Sequence, residues 1–289
     1  MPEQKVYVFV YGTLRKNEPN HSLLSSAKMI SRQCWMYGAL YDTGLGYPVM
    51  LRSSDEKVYG ECYQIPKKQL HTLDELEGYK GEDEENLYTR EIHLVHMDSG
   101  IVEAYVYINP SFNIHSLKKI PHGDWKIYRL VSQLSLSYFA YGSCMDDERF
   151  KKSKVEHLFQ DLIGRGVLSN YSLRYTRVAP DGGRADIVEG GSHVEGKVYR
   201  IGHQAVTYLY RREGVDNRMY RPTVVDIKTE SGTLSDVLTF VVVDKQKETA
   251  PPEWYAREII RGGSGTLNKA YISRLCAELQ TKFNMMIRP

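Results

Sequence analysis

The sequence lacks the features of secreted, membrane-spanning and nucleic-acid-binding proteins. It has only four cysteines in 289 residues and no C-x-x-C pair, which argues against a disulfide framework or a zinc ribbon. No apolar run approaches the roughly 18 residues that a membrane-spanning helix needs, and the opening residues lack the segments of a signal peptide. Basic and acidic side chains nearly balance, 38 against 36, so no positive excess is available for a phosphate backbone. We expect a cytoplasmic protein without nucleic-acid or membrane partners.

Signatures of metal and cofactor sites are also missing. No P-loop or dinucleotide-binding glycine pattern occurs. His93 and His96 are three residues apart in a predicted strand, so their side chains should lie on opposite faces and cannot share a metal ion. Cys144 follows a predicted strand, but no His with an Asn or Asp partner can be assigned to it, which disfavours a cysteine nucleophile. The sequence therefore predicts no metal and no organic cofactor.

What the sequence does contain is an internal repeat. Three segments of the first half recur in the same order in the second half: Tyr11-Gly12-Thr13 as Tyr141-Gly142-Ser143, Val58–Ile65 as Val194–Ile201, and Glu77-Gly78 as Glu213-Gly214. The last two pairs have the same offset of 136 residues (194 − 58 and 213 − 77). A turn, a strand and an acid in one order indicate two homologous domains.

The segments around the repeat predict supporting elements. Val102–Tyr107 is typical of a last strand of the first copy. Pro121–Trp125 then interrupts the pattern, which places the domains at residues 1–130 and 131–289. In the second copy, the apolar spacing of Val155, Leu158, Phe159 and Leu162 predicts an amphipathic helix.

Both recurring glutamates are predicted at the end of a short helix. The apolar residues at helical spacing before them are Leu70, Leu73 and Leu76 in the first copy and Val206, Leu209 and Tyr210 in the second. Pro66 suits the start of the first helix, and Gly78 and Gly214 suit the two ends. The partial negative charge of a helix C-terminus raises the pKa of a carboxyl group, as burial does. Glu77 and Glu213 are either solvated acids beside a helix end or general bases near neutral pH, and their recurrence favours the second reading.

The recurring Tyr-Gly turn offers complementary chemistry. A glycine after a strand can adopt a positive φ and let the backbone approach a ligand. Successive N–H groups there can bind a carboxylate or a developing oxyanion. A plain tight turn is the commoner explanation of such a tripeptide alone, but its pairing with the glutamate favours a site.

With these residues the chain resembles the γ-glutamylcyclotransferase superfamily, whose members carry a Tyr-Gly-Ser or Tyr-Gly-Thr loop and one essential Glu. The first half, through Tyr11–Leu14, Gly44–Pro48 and Leu73–Tyr79, is similar to the AIG2-like and γ-glutamylamine cyclotransferase branch. The second half is similar to γ-glutamylcyclotransferase proper through Phe139–Ser143, Gly183–Ala185, Arg212–Val215, Met219-Tyr220 and Ala250–Tyr255. The resemblance implies an α+β fold with two tandem domains, each a small mixed β-barrel flanked by helices.

The resemblance also implies a γ-glutamyl site in each half that needs no cofactor. The catalytic residues are then Glu213, the favoured base, and Glu77. The implied substrate-binding residues are Tyr11, Gly12, Thr13 and Leu14 in the first half and Tyr141, Gly142, Ser143, Cys144, Met145, Tyr220 and Tyr255 in the second. The family usually has Asn at the position of Cys144, so this departure bears on substrate choice.

The implied reaction is the cyclisation of a γ-glutamyl group to 5-oxoproline with release of an amine or amino acid. The attacking amine and the γ-carbonyl belong to one small substrate, so positioning can supply roughly 7–11 kcal/mol without an enzyme nucleophile. The alternative is a module that binds a γ-glutamyl or similar amino-acid ligand without turnover in one or both halves. A third possibility is that the first half is a structural partner of the second. The sequence leaves the released amine and the oligomeric state open.

Overall fold

The computed structural model describes residues 3–109 and 117–288. Met1 and Pro2, which begin the segment without signal-peptide features, lie outside the described residues. The chain divides into two compact units, Met1–Tyr128 and Arg129–Pro289, and each contains one closed five-stranded barrel with helices beside it. The α+β fold with two barrel domains in tandem is therefore confirmed, whereas the residue at which one homologous domain gives way to the next stays a prediction.

The first unit combines a barrel with a small separate sheet. Its strands are β1 (Lys5–Val10), β2 (Lys28–Tyr37), β3 (Ala39–Asp42), β4 (Pro48–Leu51), β5 (Lys57–Pro66), β6 (Thr89–Met97), β7 (Gly100–Ile108) and β8 (Lys118–Lys119). Its helices are α1 (Leu70–Glu77) and α2 (Trp125–Leu130), the second of which runs across the division between the units. The barrel order is β1-β5-β2-β6-β7, and β4-β3-β8 form the separate sheet.

The second unit has a barrel of the same topology. Its strands are β9 (Ser135–Ala140), β10 (Leu162–Ala179), β11 (Gly182–Gly202), β12 (Tyr220–Thr229) and β13 (Gly232–Val242), and its helices are α3 (Asp147–Lys152), α4 (His203–Glu213), α5 (Glu253–Gly263) and α6 (Lys269–Phe283). The closed order β9-β11-β10-β12-β13 corresponds strand for strand to that of the first barrel. In both barrels the first and last strands pair in parallel, β1 with β7 and β9 with β13.

The second barrel is distinguished by a long hairpin. Strands β10 and β11 contain 18 and 21 residues, against 10 each in the corresponding β2 and β5. Their antiparallel register continues to Ala179 opposite Gly182, so Arg177 lies directly opposite Arg184 near the tip.

No helix among residues 3–109 and 117–288 is long and apolar enough to span a bilayer.

The recurring strand glycine allows the same close approach in both barrels. A Cβ atom on Gly60 would lie 2.3 Å from the carbonyl oxygen of Val10, and one on Gly196 would lie 2.2 Å from that of Ala140. These are backbone atoms of the neighbouring strands β1 and β9, which cannot move aside without breaking the ladder. The repeat therefore retains glycine here because no side chain fits.

The predicted ends of the two helices are confirmed, but another predicted helix is wrong. Helix α1 ends at Glu77 and α4 at Glu213, and the glycine after each has a left-handed φ, 64° and 62°. The segment that begins at Val155 forms only a short 3₁₀ turn, and Leu162 is already in β10 with 43% of its surface exposed. The ring of Phe159 stacks on Phe150 at 4.0 Å between centroids. Core packing of this ring, rather than a helical face, explains the apolar spacing.

Candidate active site

The Tyr-Gly segment forms the same turn after the first strand of each barrel. The Arg15 N–H donates to the Gly12 carbonyl at 3.1 Å, and the Met145 N–H donates to the Gly142 carbonyl at 3.0 Å. The loop therefore folds back over the end of the barrel in the same way in both units.

The reason for glycine in this turn differs from the expected one. Neither Gly12 nor Gly142 has a left-handed φ, and Gly142 has φ −116°. A Cβ atom on Gly12 would instead lie 2.9 Å from the Pro48 side chain, whereas one on Gly142 would meet the Ala185 Cβ at 3.4 Å, an ordinary van der Waals contact. The expectation of positive φ is wrong for both glycines, and only at Gly12 does the missing side chain relieve a close approach.

The tyrosine of each turn holds the loop against the last barrel strand. The Tyr11 hydroxyl donates to the Tyr107 carbonyl in β7 at 2.8 Å, and the Tyr141 hydroxyl donates to the Phe240 carbonyl in β13 at 2.6 Å. Burial raises the pKa of both hydroxyls well above the ordinary value. These two side chains therefore offer their rings to a ligand, while their protons stay bound to backbone carbonyls.

The first unit has a cavity of about 370 Å³ between this loop and the end of α1. Tyr11, Gly12, Thr13 and Leu14 all line it, and so does Glu77. The other walls are mostly aromatic or apolar: Tyr47, Pro48 and Leu76 lie in segments that the resemblance named, whereas sequence reasoning missed Leu87, Tyr88 and Tyr107. Among the described residues that line this cavity there is no arginine, lysine or histidine.

Burial dominates the electrostatics of Glu77. Desolvation raises the pKa of this carboxyl group to about 7, and the pKa values of Tyr11 and Tyr88 are raised in part by its negative charge. A carboxyl group with this pKa is part-protonated near neutral pH. It can therefore both accept and return a proton.

The raised pKa of Glu77 makes stability depend on pH. The pKa of Glu77 is higher in the folded protein than in the unfolded chain. Its contribution to the free energy of unfolding is therefore fully present below about pH 4.5, and it is lost as the pH rises through about 7. We expect Glu77→Gln to match the wild type at pH 4.5 and to be more stable by about 1–3 kcal/mol at pH 8.5. Urea unfolding at the two pH values measures the difference. Glu75→Gln, whose side chain is 69% exposed, is the control, and a Glu77→Gln variant less stable than wild type at pH 8.5 contradicts the prediction.

The second unit has a corresponding cavity of about 170 Å³ between the Tyr-Gly loop and the end of α4. Seven of the predicted residues line it: Tyr141, Gly142, Ser143, Cys144, Glu213, Tyr220 and Tyr255. Met145 does not, because its side chain is fully buried and its carbonyl accepts a hydrogen bond from Lys197 Nζ at 2.8 Å. The prediction that Met145 contacts substrate is thus not supported by its position, since the turn directs it into the core.

Two tyrosines form hydrogen bonds with the backbone of Ala185, which belongs to the Gly183–Ala185 segment that the resemblance named. The Tyr220 hydroxyl donates to the Ala185 carbonyl at 2.7 Å, and the Ala185 N–H donates to the Tyr255 hydroxyl at 3.2 Å. Burial raises the pKa of Tyr255 to about 12. Both hydroxyls are therefore neutral near pH 7 and fix Ala185 at the wall of the cavity.

Glu213 lies in a more polar environment than Glu77. The Cys144 thiol donates to Glu213 Oε1 at 3.4 Å, and Arg212 Nε donates to the Cys144 sulfur at 3.0 Å. Burial raises the pKa of Glu213, although the Arg212 guanidinium, 3.5 Å away, opposes the shift. Burial also raises the pKa of the Cys144 thiol, which makes it a hydrogen-bond donor and not a thiolate nucleophile.

Four arginines line the second cavity, which is its main difference from the first. They are Arg149 from α3, Arg177 from β10, Arg184 from β11 and Arg212 from α4. Arg184 and Arg212 lie in segments that the resemblance named. Arg149 and Arg177 had no sequence signal, because only the closure of the barrel brings α3 and the hairpin to the cavity.

The described residues contain no evident metal site. His93 and His96 both lie in β6, but His96 stacks on Trp35 at 4.0 Å while His93 Nε2 contacts Glu91 at 2.9 Å. No group of three or more His, Cys, Asp or Glu side chains within residues 3–109 and 117–288 is arranged to hold a metal ion.

Comparison with known proteins identifies the family. The family described as "Gamma-glutamyl cyclotransferase, AIG2-like" matches residues 8–127, and the "AIG2-like family" matches residues 193–275. The Bacillus subtilis protein "Putative gamma-glutamylcyclotransferase YkqA" is 40% identical over 271 residues, which cover 93% of this chain and 95% of the relative. The chain belongs to the γ-glutamylcyclotransferase family. It is accordingly an enzyme of the cyclotransferase type.

Two further similarities bear on this family assignment. The crystal structure of YkqA superimposes with a TM-score of 0.87 at 38% identity, covering 96% of this chain and 98% of that structure. The "Gamma-L-glutamyl-butirosin B gamma-glutamyl cyclotransferase" of Niallia circulans is 38% identical over 124 residues, 43% of this chain and 77% of that protein. The tandem architecture is thus shared with YkqA over nearly the whole length, and the second relative matches a stretch about as long as one unit.

Proposed function

We propose that each unit cyclises the γ-glutamyl group of a small substrate to 5-oxoproline and releases an amine or amino acid, with Glu77 and Glu213 as the general bases. The observation that carries the proposal is the shared geometry of the two units. In each, a partly buried glutamate of raised pKa ends a helix and faces the Tyr-Gly loop across a cavity. The Niallia circulans relative, whose name describes a γ-glutamyl cyclotransferase, supports the same chemistry.

The reaction needs one proton acceptor and a fixed substrate conformation. The carboxylate takes a proton from the substrate α-amine, whose nitrogen attacks the γ-carbonyl carbon of the same molecule. The resulting oxyanion is stabilised by backbone N–H groups of the Tyr-Gly loop, and the loss of one such donor typically costs about 2.7–4 kcal/mol. The bond from the γ-carbon to the leaving nitrogen then breaks, and the glutamic acid returns its proton to that nitrogen.

Retention of a ligand without turnover is the second candidate for the second unit. The surroundings of Glu213 favour this alternative. Arg212 lies 3.5 Å from Glu213, and Cys144 occupies the position at which the family usually has Asn. A nearby guanidinium favours the charged carboxylate and so weakens it as a base. The first unit has no such cation among the described residues of its cavity.

The compartment and the partners are part of the same proposal. A reducing cytoplasm agrees with four cysteines that are all free thiols. The partner we propose is a small γ-glutamyl compound, because the cavity of the first unit, about 370 Å³, is in the range of small-ligand sites, and that of the second, about 170 Å³, is smaller still.

Product analysis tests the proposed function. We expect the protein, incubated with γ-glutamyl-amines and γ-glutamyl-amino acids, to release 5-oxoproline and the free amine or amino acid in equal amounts, because one cyclisation produces one molecule of each. Chromatography of both products over time measures the ratio. Free glutamate in place of 5-oxoproline would indicate hydrolysis by water and contradict cyclisation. Binding without either product would favour the ligand-binding module.

A further inference from the structure

A further cavity of the second unit, about 220 Å³ in volume, lies between the β10–β11 hairpin and α6. Among the described residues it shares no lining residue with the cavity that contains Glu213. Its walls include Tyr171 and Leu173 of β10, His193 of β11, and Tyr271 and Arg274 of α6. It is therefore a separate space, with side chains that the proposed cyclisation does not use.

A bulge in the hairpin forms one wall of this cavity. The register passes from Ser169 opposite His193 to Tyr171 opposite Glu189, so three residues of β11 (190–192) face a single residue of β10. Bulges of this kind re-aim side chains and are frequent next to active sites. His193, where the regular pairing resumes, lines the cavity.

The α6 wall has two buried hydrogen-bond donors that lack an acceptor. Tyr271 is 4% exposed, and no group within the described residues accepts the proton of its hydroxyl. Burial raises the pKa of this hydroxyl, so it keeps its proton near pH 7. Arg274 Nε, one turn further along the same face of α6, is also buried and donates to no acceptor there. Buried donors are rarely left unsatisfied, so two at one cavity indicate an acceptor from outside the chain.

The Arg274 guanidinium is held in place beside Tyr271. Its Nη2 donates to the His193 carbonyl at 2.7 Å, and the guanidinium lies 4.9 Å from the centroid of the Tyr271 ring. These contacts fix its orientation before a ligand binds. Because the two side chains are in contact, a single group with two acceptor oxygens can bind both donors.

Two acids act on the Tyr271 hydroxyl, Glu195 and Glu278, but neither accepts its proton. Glu195 accepts the Asn268 N–H at 2.9 Å. Glu278 Oε1 lies 3.7 Å from Arg274 Nε, which is beyond hydrogen-bond distance. The Glu278 side chain is 41% exposed, and an exposed ion pair contributes little to stability. A ligand can therefore take the place of Glu278 at Arg274.

The charges of the lining limit the class of ligand. Arg174, Arg274 and Lys282 line the cavity with one acid, Glu278, and Lys282 also contacts Glu248 at 3.2 Å. The remaining positive charge is small and suits one negative charge better than the two of a phosphate group. Three buried side chains provide an apolar surface in the same cavity: Tyr171, Leu173 and Leu275.

We propose that this cavity binds a small monocarboxylic acid with an apolar body, whose carboxylate accepts hydrogen bonds from the Tyr271 hydroxyl and Arg274 Nε. The apolar body packs on the surface formed by Tyr171, Leu173 and Leu275. The proposal goes beyond the γ-glutamyl chemistry and does not depend on turnover in either unit.

A matched pair of ligands tests the site in the full-length protein. Benzoate and benzamide have nearly the same size and differ by one negative charge. Ligand-observed NMR titration should give a Kd for benzoate about 10–100-fold lower than that for benzamide, as charge-assisted hydrogen bonds allow. Tyr271→Phe and Arg274→Met should each weaken benzoate binding by about 10–100-fold without affecting benzamide. Arg257→Met, which changes an arginine of α5 with a 53% exposed side chain, should leave both affinities unchanged.

Urea unfolding separates ligand binding from structural support. Arg274 also holds the His193 carbonyl, so Arg274→Met can reduce stability as well as affinity. Tyr271→Phe removes a hydroxyl whose proton has no acceptor in the described chain, so its urea midpoint should stay close to that of the wild type. Weaker benzoate binding by a Tyr271→Phe variant of wild-type stability supports the site.

Three results would overturn the proposal. The first is equal benzoate affinity of the wild type and Tyr271→Phe, which includes the absence of benzoate binding to either, since water then satisfies the two donors. The second is tighter binding of inorganic phosphate than of benzoate. The third is a loss of benzoate affinity in Arg184→Ala but not in Tyr271→Phe, because Arg184 lines the cavity of Glu213.

Discussion

Replacing both Glu77 and Glu213 with glutamine is expected to lower the rate of 5-oxoproline formation by about 10²–10⁴-fold, the usual contribution of a positioned general base. Glutamine has nearly the same shape as glutamate but cannot accept the proton of the substrate amine. Both side chains end a helix at the cavity of their unit. The fold should therefore survive while the proton transfer is lost. Initial rates measured by product chromatography give the ratio to wild type.

The single variants assign the activity to one unit or the other. Glu77→Gln should abolish turnover in the first unit only, and Glu213→Gln should do so in the second only. Glu75→Gln and Asp216→Asn change exposed acids close to the two bases and should leave the rates unchanged. A double variant that keeps more than a tenth of the wild-type rate would exclude these glutamates as the bases.

Replacing Arg15 with methionine is expected to destabilise the first unit by about 3–5 kcal/mol, because it leaves buried acids without their countercharge. The Arg15 side chain is 1% exposed and contacts Asp124 at 2.8 Å and Glu61 at 3.5 Å. Asp124 also accepts the N–H groups of Lys126 and Ile127 at the start of α2. Urea unfolding, followed by the fluorescence of the tryptophans in the first unit, measures the loss.

An exposed ion pair of the same unit is the control for Arg15. Arg52 contacts Glu91, but its side chain is 63% exposed, so Arg52→Met should change the free energy of unfolding by less than about 1 kcal/mol. The two units can unfold separately, so the loss must be read from the transition of the first unit. Equal effects of the two substitutions would show that the Arg15 network does not stabilise the unit as argued.

The Arg15 network also shows how equivalent positions support the loop with different charges. Glu61, one residue after the strand glycine, accepts the Lys16 N–H at 2.8 Å and so holds the end of the first Tyr-Gly turn. The equivalent residue of the second unit is Lys197, which donates to the Met145 carbonyl at 2.8 Å. The anchoring position is therefore common to both barrels, although the sign of its charge is reversed. Either sign of charge can hold the loop, because the loop backbone has an N–H group that an acid can accept from and a carbonyl group that a lysine can donate to.

Local patterns in the sequence were sufficient for the repeat, the helix ends and the base candidates. The apolar spacing before Glu77 and Glu213, and the glycine that follows each, involve only residues close together in the chain. Such patterns depend on backbone geometry within one or two turns, and the structure confirms both helix ends. Short-range spacing failed at Val155–Leu162, because stacking of Phe159 on Phe150 decides that segment.

The chemical character of each cavity was decided only by the tertiary structure. Tyr88 and Tyr107 reach the first cavity, and Arg149 and Arg177 reach the second, from elements that meet only when each barrel closes. Met145, next to residues that line the second cavity, points into the core instead. The sequence by itself determined the family, the tandem repeat and the two carboxylates. Which cavity has positive charge depends on strand register and side-chain direction, and these are fixed by contacts between residues far apart in the chain.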